Sequence, residues 1–186
     1  MRHLHFGKLF FVVFSLLLAC TVSARKPIKT LLITGQNNHN WQVSHVVLKQ
    51  ILENSGRFDV DFVISPEQGK DMSGFVLDFS PYQLVVLDYN GDSWPEETNR
   101  RFLEYVQNGG GVVIYHAADN AFSKWPEFNR ICALGGWEGR NENSGPYVYW
   151  KDGKLVKDSS AGPGGSHGRQ HEYVLNGRDK VHPVVK

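Results

Sequence analysis

The sequence predicts an α/β fold: a doubly wound, mostly parallel sheet with helices on both faces. Three observations carry this. Short apolar runs at residues 31–33, 84–87 and 112–115 read as buried strands. Between them lie segments with apolar residues three and four apart, which read as helices. Strand and helix then alternate along the chain, as parallel βαβ units do.

The first 24 residues stand outside this pattern. Arg2 and Lys8 form a positive region, and an apolar run from Leu9 to Ala19 follows, broken only by Ser15. Val22-Ser23-Ala24 is a small-residue site of the kind signal peptidase cuts. The run falls short of the roughly 20 residues a membrane span needs. Leu17-Leu18-Ala19-Cys20 resembles a bacterial lipobox, so the alternative is cleavage after residue 19 with Cys20 lipidated. Leu18 is not the commonest residue at its position, so cleavage after Ala24 is preferred. Both routes export the chain to a periplasmic or cell-surface location, and a lipid anchor at Cys20 is the membrane contact the sequence offers.

The elements follow in order. Residues 29–35 read as a strand ending in Gly35. Residues 41–54 read as a helix, with Val43, Val46, Val47, Leu48, Ile51 and Leu52 as its apolar face and Ser55-Gly56 as its stop. Residues 58–64 alternate through Asp59 and Asp61, as an exposed or edge strand does, and Ser65-Pro66 breaks them. The strand at 84–87 runs into Asp88-Tyr89-Asn90-Gly91. Ser93-Trp94-Pro95-Glu96 fits a capping box for the next helix, whose buried stripe is Phe102, Leu103 and Val106. Gly109-Gly110-Gly111 ends that helix, and the strand at 112–115 leads directly to His116.

Beyond Trp137 the composition shifts to Gly, Ser, Asn and Pro. Residues 147–156 read as a hairpin turning at Asp152-Gly153, residues 159–168 as a loop, and residues 172–175 as a further strand. Cys20 and Cys132 are the two cysteines, so a disulfide scaffold is excluded. Cys132 lies in an apolar helical context and reads as a small buried hydrophobe. The net charge of +1, with no basic stripe, argues against nucleic acid as a partner.

Ligands of open α/β sheets gather beyond the carboxyl ends of the strands. His116 stands at such an end, and His39 follows the first strand, which is usually central in a doubly wound sheet. The polar run Gln36-Asn37-Asn38-His39-Asn40-Trp41 suits a sugar. Asn38, Asn40 and the imidazole can bond hydroxyls, and Trp41 can face the ring's C–H surface. Asn40 can equally cap the following helix. Asp119 can orient His116 from three residues on, or cap a turn with Asn120. Arg140 can hold an anionic group or pair with Glu142. His167 and His171 share a glycine-rich segment, and Gly168 stands where a zinc-protease glutamate would be. The acid instead follows His171, as Glu172, which joins the acid–base candidates. His39, His116 and His171 can together bind a divalent metal such as zinc, if three separate loops converge. His45, inside the first helix, reads as structural.

Several of these segments together resemble the trehalose-utilisation, or ThuA-like, family. They are residues 31–41, the triple-glycine strand ending Tyr115-His116-Ala117-Ala118, Trp125-Pro126-Glu127-Phe128, Gly135-Gly136-Trp137 and His182-Pro183-Val184. In series they cover residues 25–186. The resemblance implies a variant of the class I glutamine-amidotransferase-like fold, itself flavodoxin-like, and a role in sugar or oxidised-sugar metabolism. It also implies that His116 occupies the turn where amidotransferases carry a cysteine nucleophile, so thiol-based glutamine hydrolysis has no nucleophile here. In that family more sheet and helix follow the His-Pro segment, which leads us to expect that the C-terminal part of the domain is missing. The expected function is acid–base chemistry on a small carbohydrate, possible with metal assistance. The alternatives are a non-catalytic sugar-binding module or a structural domain of a larger exported protein.

Overall fold

A computed structural model describes residues 25–133, 140, 145–164 and 168–183. The leader, Cys20, Gly135-Gly136-Trp137, Glu142 and His167 lie outside the described residues. Six strands and three α-helices are described, in the order β1 (Ile28–Thr34), α1 (Trp41–Asn54), β2 (Phe58–Ile64), β3 (Leu84–Leu87), α2 (Glu96–Gln107), β4 (Gly111–Ile114), α3 (Pro126–Cys132), β5 (Tyr147–Lys151) and β6 (Lys154–Asp158). β1 to β4 form one all-parallel sheet in the order β2-β1-β3-β4, and β5 and β6 form a separate antiparallel pair. Among the described residues no helix is long and apolar enough to cross a membrane.

The sheet is covered on both faces, as predicted. On one, Leu32, Val60 and Val86 pack beneath Leu48 and Leu52 of α1. On the other, Leu31, Ile33, Val85 and Leu87 meet Phe102 of α2 and Phe128 of α3. Phe102 and Phe128 are fully buried, each contributing about 1.5–3 kcal/mol. An aromatic cluster extends this core toward the carboxyl ends of the strands, with Phe122 edge-on to Trp94 and to Phe128.

β2 is an edge strand, as its alternation predicts, and β1 is interior. The α1 stripe is only partly used: Leu48 and Leu52 are packed, while Val43, Val46, Val47 and Ile51 are exposed. α1 lies over β1 and β2, so β4's Val113 on the same side is left exposed.

The triple glycine ends α2 in a Schellman arrangement. Asn108 is the C-cap and Gly109 is left-handed at φ +89°. Gly109 N–H bonds to the Val106 carbonyl and Gly110 N–H to the Tyr105 carbonyl. The Tyr105 ring lies so close to Gly110 that a Cβ there would overlap it. The hairpin turns at Asp152 (φ +50°) and Gly153 (φ +77°), as the Asp-Gly pair predicts.

Two local expectations are corrected. The capping box at Ser93 does not form: α2 starts at Glu96 with an extended Pro95 as its N-cap and no side-chain cap. Proline's fixed φ suits this entry, and Glu96 and Glu97 complement the helix dipole instead. The strand expected at residues 172–175 is absent. Tyr173, Val174 and Leu175 are 74–84% exposed and no strand pairs with them. A short run of strand-forming residues does not make a strand without a neighbour to satisfy its backbone.

Candidate functional site

The candidate site lies at the carboxyl ends of β1, β3 and β4. The order β2-β1-β3-β4 places the topological switch point between β1 and β3, where the chain winds outward in opposite directions and opens a crevice.

A buried acid organises that crevice. Asp88, directly after β3, is 1% exposed. Its carboxylate accepts hydrogen bonds from Ser44 Oγ (2.6 Å), Asn37 Nδ2 (3.1 Å) and Thr34 Oγ1 (3.3 Å). It therefore ties the end of β1, the following loop and the first turn of α1 to the end of β3. Burial pushes its carboxyl above the ordinary value, and the three hydrogen bonds pull the other way. Gln36 makes a second tie: its Oε1 accepts from Asp92 N (2.7 Å) and its Nε2 donates to the Pro66 carbonyl (2.8 Å). Gly91 passes so close to Gln36 that no Cβ fits.

On this frame the two histidines meet. Asn37 Oδ1 accepts from the His39 backbone N–H (2.9 Å), an Asx-turn that sets the loop. The His39 and His116 rings lie 5.2 Å apart between centroids, inclined by 48°. His116 follows β4, whose ladder continues through Tyr115 N–H to the Leu87 carbonyl, and the His116–Ala117 peptide is cis. Asp119, in a 3₁₀ turn at Ala118–Asn120, places Oδ1 3.2 Å from His116 Nδ1. A carboxylate only accepts, so this hydrogen bond requires the proton on Nδ1, and in the neutral imidazole that tautomer leaves Nε2 as the acceptor. Of the two roles open to Asp119, the geometry supports orientation of His116; the turn has no side-chain cap.

The two histidines line an open groove of ≈ 500 Å³, together with Asn40, Tyr115, Val43 and Val47. Val43 and Val47, from the uncovered part of the α1 stripe, thus form its apolar wall. Asn40 is the N-cap of α1 by position, but its side chain makes no cap bond. Asn38 sits beside the groove and accepts from Asn90 Nδ2 (3.3 Å).

The other expected residues are elsewhere. Trp41 packs against His45 (5.8 Å between rings) and does not line the groove. The aromatic that does is Tyr115. His45 is buried, bonds the Trp41 carbonyl through Nδ1 (2.6 Å) and packs at a tilt against Phe62, a structural role as expected. Arg140 donates to the Gly145 carbonyl (2.6 Å) and lies over the Tyr147 ring (3.7 Å), bracing the loop beside the hairpin. His171 bonds the nearby Arg169 carbonyl (2.9 Å), and both His171 and Glu172 are exposed. Among the described residues no group of three or more His, Cys, Asp or Glu side chains is placed to hold a metal ion, so the His39, His116, His171 set is not assembled. Three ligands on separate loops need a scaffold that draws all three together, and the ties just described serve only the first two. Cys132 is a half-buried thiol, pushed up to about 12 mainly by burial and secondarily by Asp119, and is unsuited to nucleophilic work.

Sequence reasoning missed Asp88 and Tyr115. Asp88 carries the same signal as His116, a polar residue at the end of an apolar strand. Tyr115 reads as a buried strand residue and is exposed because β4 lies beyond the cover of α1. A further cavity, ≈ 570 Å³ beside Tyr82, Arg101 and Tyr105, opens at the amino ends of the strands and is lined by none of the candidate site residues.

The arrangement can accept and donate protons at one small, mostly apolar groove. No family model and no curated protein matches the sequence. Among solved structures, the chain is similar to a protein described as ThuA-like from Bacteroides uniformis ATCC 8492, with 24% identity over 61% of this chain and 46% of that one and a TM-score of 0.42. The chain thus spans about half the length of the protein it matches.

Proposed function

We propose that the chain is an exported ThuA-like domain whose His39–His116 groove performs acid–base chemistry on a small carbohydrate or keto-sugar. The observation that carries this reading is the pair of facing imidazoles, one of them oriented by Asp119, at the strand ends. A histidine with Nδ1 held by a carboxylate presents Nε2 as a base, and a second imidazole 5.2 Å away between ring centroids offers another proton donor or acceptor to the same small ligand. The sequence motifs supply the carbohydrate expectation; the export expectation rests on the leader.

The test follows conversion of hexoses and keto-hexoses, with solvent deuterium incorporation, by proton NMR. His116→Ala is expected to lose about 10²–10⁴-fold in rate with an unchanged circular-dichroism spectrum. An unchanged rate removes His116 from the mechanism. A second reading, a sugar-binding module, is favoured by one observation: the His116 side chain is 65% exposed, whereas catalytic groups usually work in a more desolvated site. Saturable sugar binding without conversion selects it.

A further inference from the structure

Helix α1 is apolar on two faces. Leu48 and Leu52 pack on the sheet. On the outer face Val43, Val46, Val47 and Ile51 are 44–62% exposed, and the polar residues among them, Gln50 and Asn54, carry no charge. At 3.6 residues per turn these six fall within an arc of about 140°. The charged residues of the helix, Lys49 and Glu53, pair with each other, and Lys49 also donates to the Val60 carbonyl of β2. They therefore lie toward β2, off this arc. A helix that is apolar all round is one that the folded assembly buries on both sides.

The outer arc meets an uncovered sheet edge. Val43 and Val47 share the histidine groove with Tyr115. Val113, two residues before Tyr115 and so on the same side of β4, is 47% exposed. β4 is the edge of the four-stranded sheet, and its residues 111–114 carry no charge. Edge strands are normally covered or charged; among the described residues this one is neither. The groove is open in the same direction, with the His116 side chain 65% exposed. Acid–base chemistry gains from excluding water, so the site as it stands lacks a wall.

We propose that a second copy of this chain supplies that wall: two α1 helices pack across a two-fold axis, each lying beside the other above Val113 and Tyr115, and each copy closes the histidine groove of its partner. The ridge Val43–Val47–Ile51 runs at i, i+4 and i+8, a spacing that interlocks with an identical ridge at about 8–10 Å between axes. The face is uncharged, so it meets its own image across a two-fold axis without like-charge repulsion, and it offers no charge by which an unlike partner would be selected. Its size also fits. Val43, Val46, Val47, Ile51, Val113 and Tyr115, each about half exposed, supply about 400 Å² per copy; Asn40, Gln50, Asn54 and the two imidazoles at the rim bring two copies to about 1,000 Å² in total, the lower limit for a specific interface. Such an interface gives a reversible dimer with a dissociation constant on the order of 10 µM.

Sedimentation velocity of the full chain is expected to show monomer at about 1 µM and mainly dimer at about 200 µM. Val46→Glu and Ile51→Glu put carboxylates on the proposed interface at positions that face solvent in the single chain. Each should raise the dissociation constant at least about tenfold with an unchanged circular-dichroism spectrum. Mixing Ile51→Glu with Ile51→Lys should restore association, because opposite charges then share the interface. Closure of the groove is read at His116 by diethyl pyrocarbonate, with the modified residue located by mass spectrometry. Its rate should be about fivefold lower at about 200 µM than at about 1 µM in the wild type, and independent of concentration in Ile51→Glu. A chain that stays monomeric at about 200 µM overturns the proposal. So does association that both glutamate variants leave untouched, which would locate the contact elsewhere in the chain, or a wild-type His116 rate that ignores concentration. Failure of the catalytic reading looks different: His116→Ala then keeps full turnover, while the dimer and its loss in Ile51→Glu remain.

Discussion

Removing the Asp88 carboxylate should loosen the frame that brings His39 to His116. In Asp88→Ala, the Thr34 and Ser44 hydroxyls and the Asn37 amide lose their acceptor. Three hydrogen bonds at about 0.5–1.5 kcal/mol net each, partly offset by no longer burying a charge, leave a loss of about 2–3 kcal/mol. Asp88→Asn behaves differently. Its carbonyl can face the two hydroxyls, which bond the same carboxylate oxygen. Its amide then meets the Asn37 amide, which cannot flip without giving up the His39 backbone N–H. One bond is lost, so the cost stays below about 1 kcal/mol, and it falls on the turn that carries His39. The pH dependence has a definite sign. Burial raises the Asp88 carboxyl above its ordinary 3.8, so the folded chain holds this proton more tightly than the unfolded one. That contribution is complete below pH 3.8 and is lost as pH rises through the folded value. The asparagine lacks this titration, so its stability relative to wild type should improve from pH 3.8 toward neutrality. Urea unfolding followed by tryptophan fluorescence at several pH values, with amide exchange at residues 37–39, measures both effects. An alanine variant within about 0.5 kcal/mol of wild type, or an asparagine variant as costly as alanine, refutes the reasoning.

Gly110→Ala drives a methyl group into the Tyr105 ring, whose hydroxyl donates to the Gly111 carbonyl (2.9 Å). Overpacking of this kind costs about 1–3 kcal/mol, read as an earlier urea midpoint; an unchanged midpoint would show that the ring moves freely. In a Cys20→Ser background, Cys132 should react with a thiol reagent at pH 8 roughly a hundredfold more slowly in the folded chain than in urea, because little thiolate forms in its buried setting. Equal rates would place the thiol at the surface.

What the sequence by itself determined is local and periodic. Apolar runs located β1 and β3, the 3.6-residue stripe located α1, and Asp152-Gly153 located the hairpin turn. The rule that sites form beyond strand ends selected His39 and His116, and Asp119 from three residues on. Each of these follows from interactions within a few residues or from a general property of parallel sheets.

Tertiary structure decided the remainder. Trp41 and Tyr115 look alike as aromatic residues beside polar loops. Helix α1 turns the first onto His45, while the uncovered edge strand β4 leaves the second in the groove. Asp88 stands 44 residues from Ser44 and 51 from Asn37, separations at which no pattern in the chain shows the pairing. The sugar-suited run after β1 divides in the same way: Gln36 and Asn37 hold the frame, while His39 and Asn40 face the groove. Arg140 and His171 find partners near themselves in the chain instead of the groove. Residue type states what a side chain can do; only the crossing of β1, β3 and β4 decides which of those side chains share a cleft, because that depends on long-range packing that no local signal encodes.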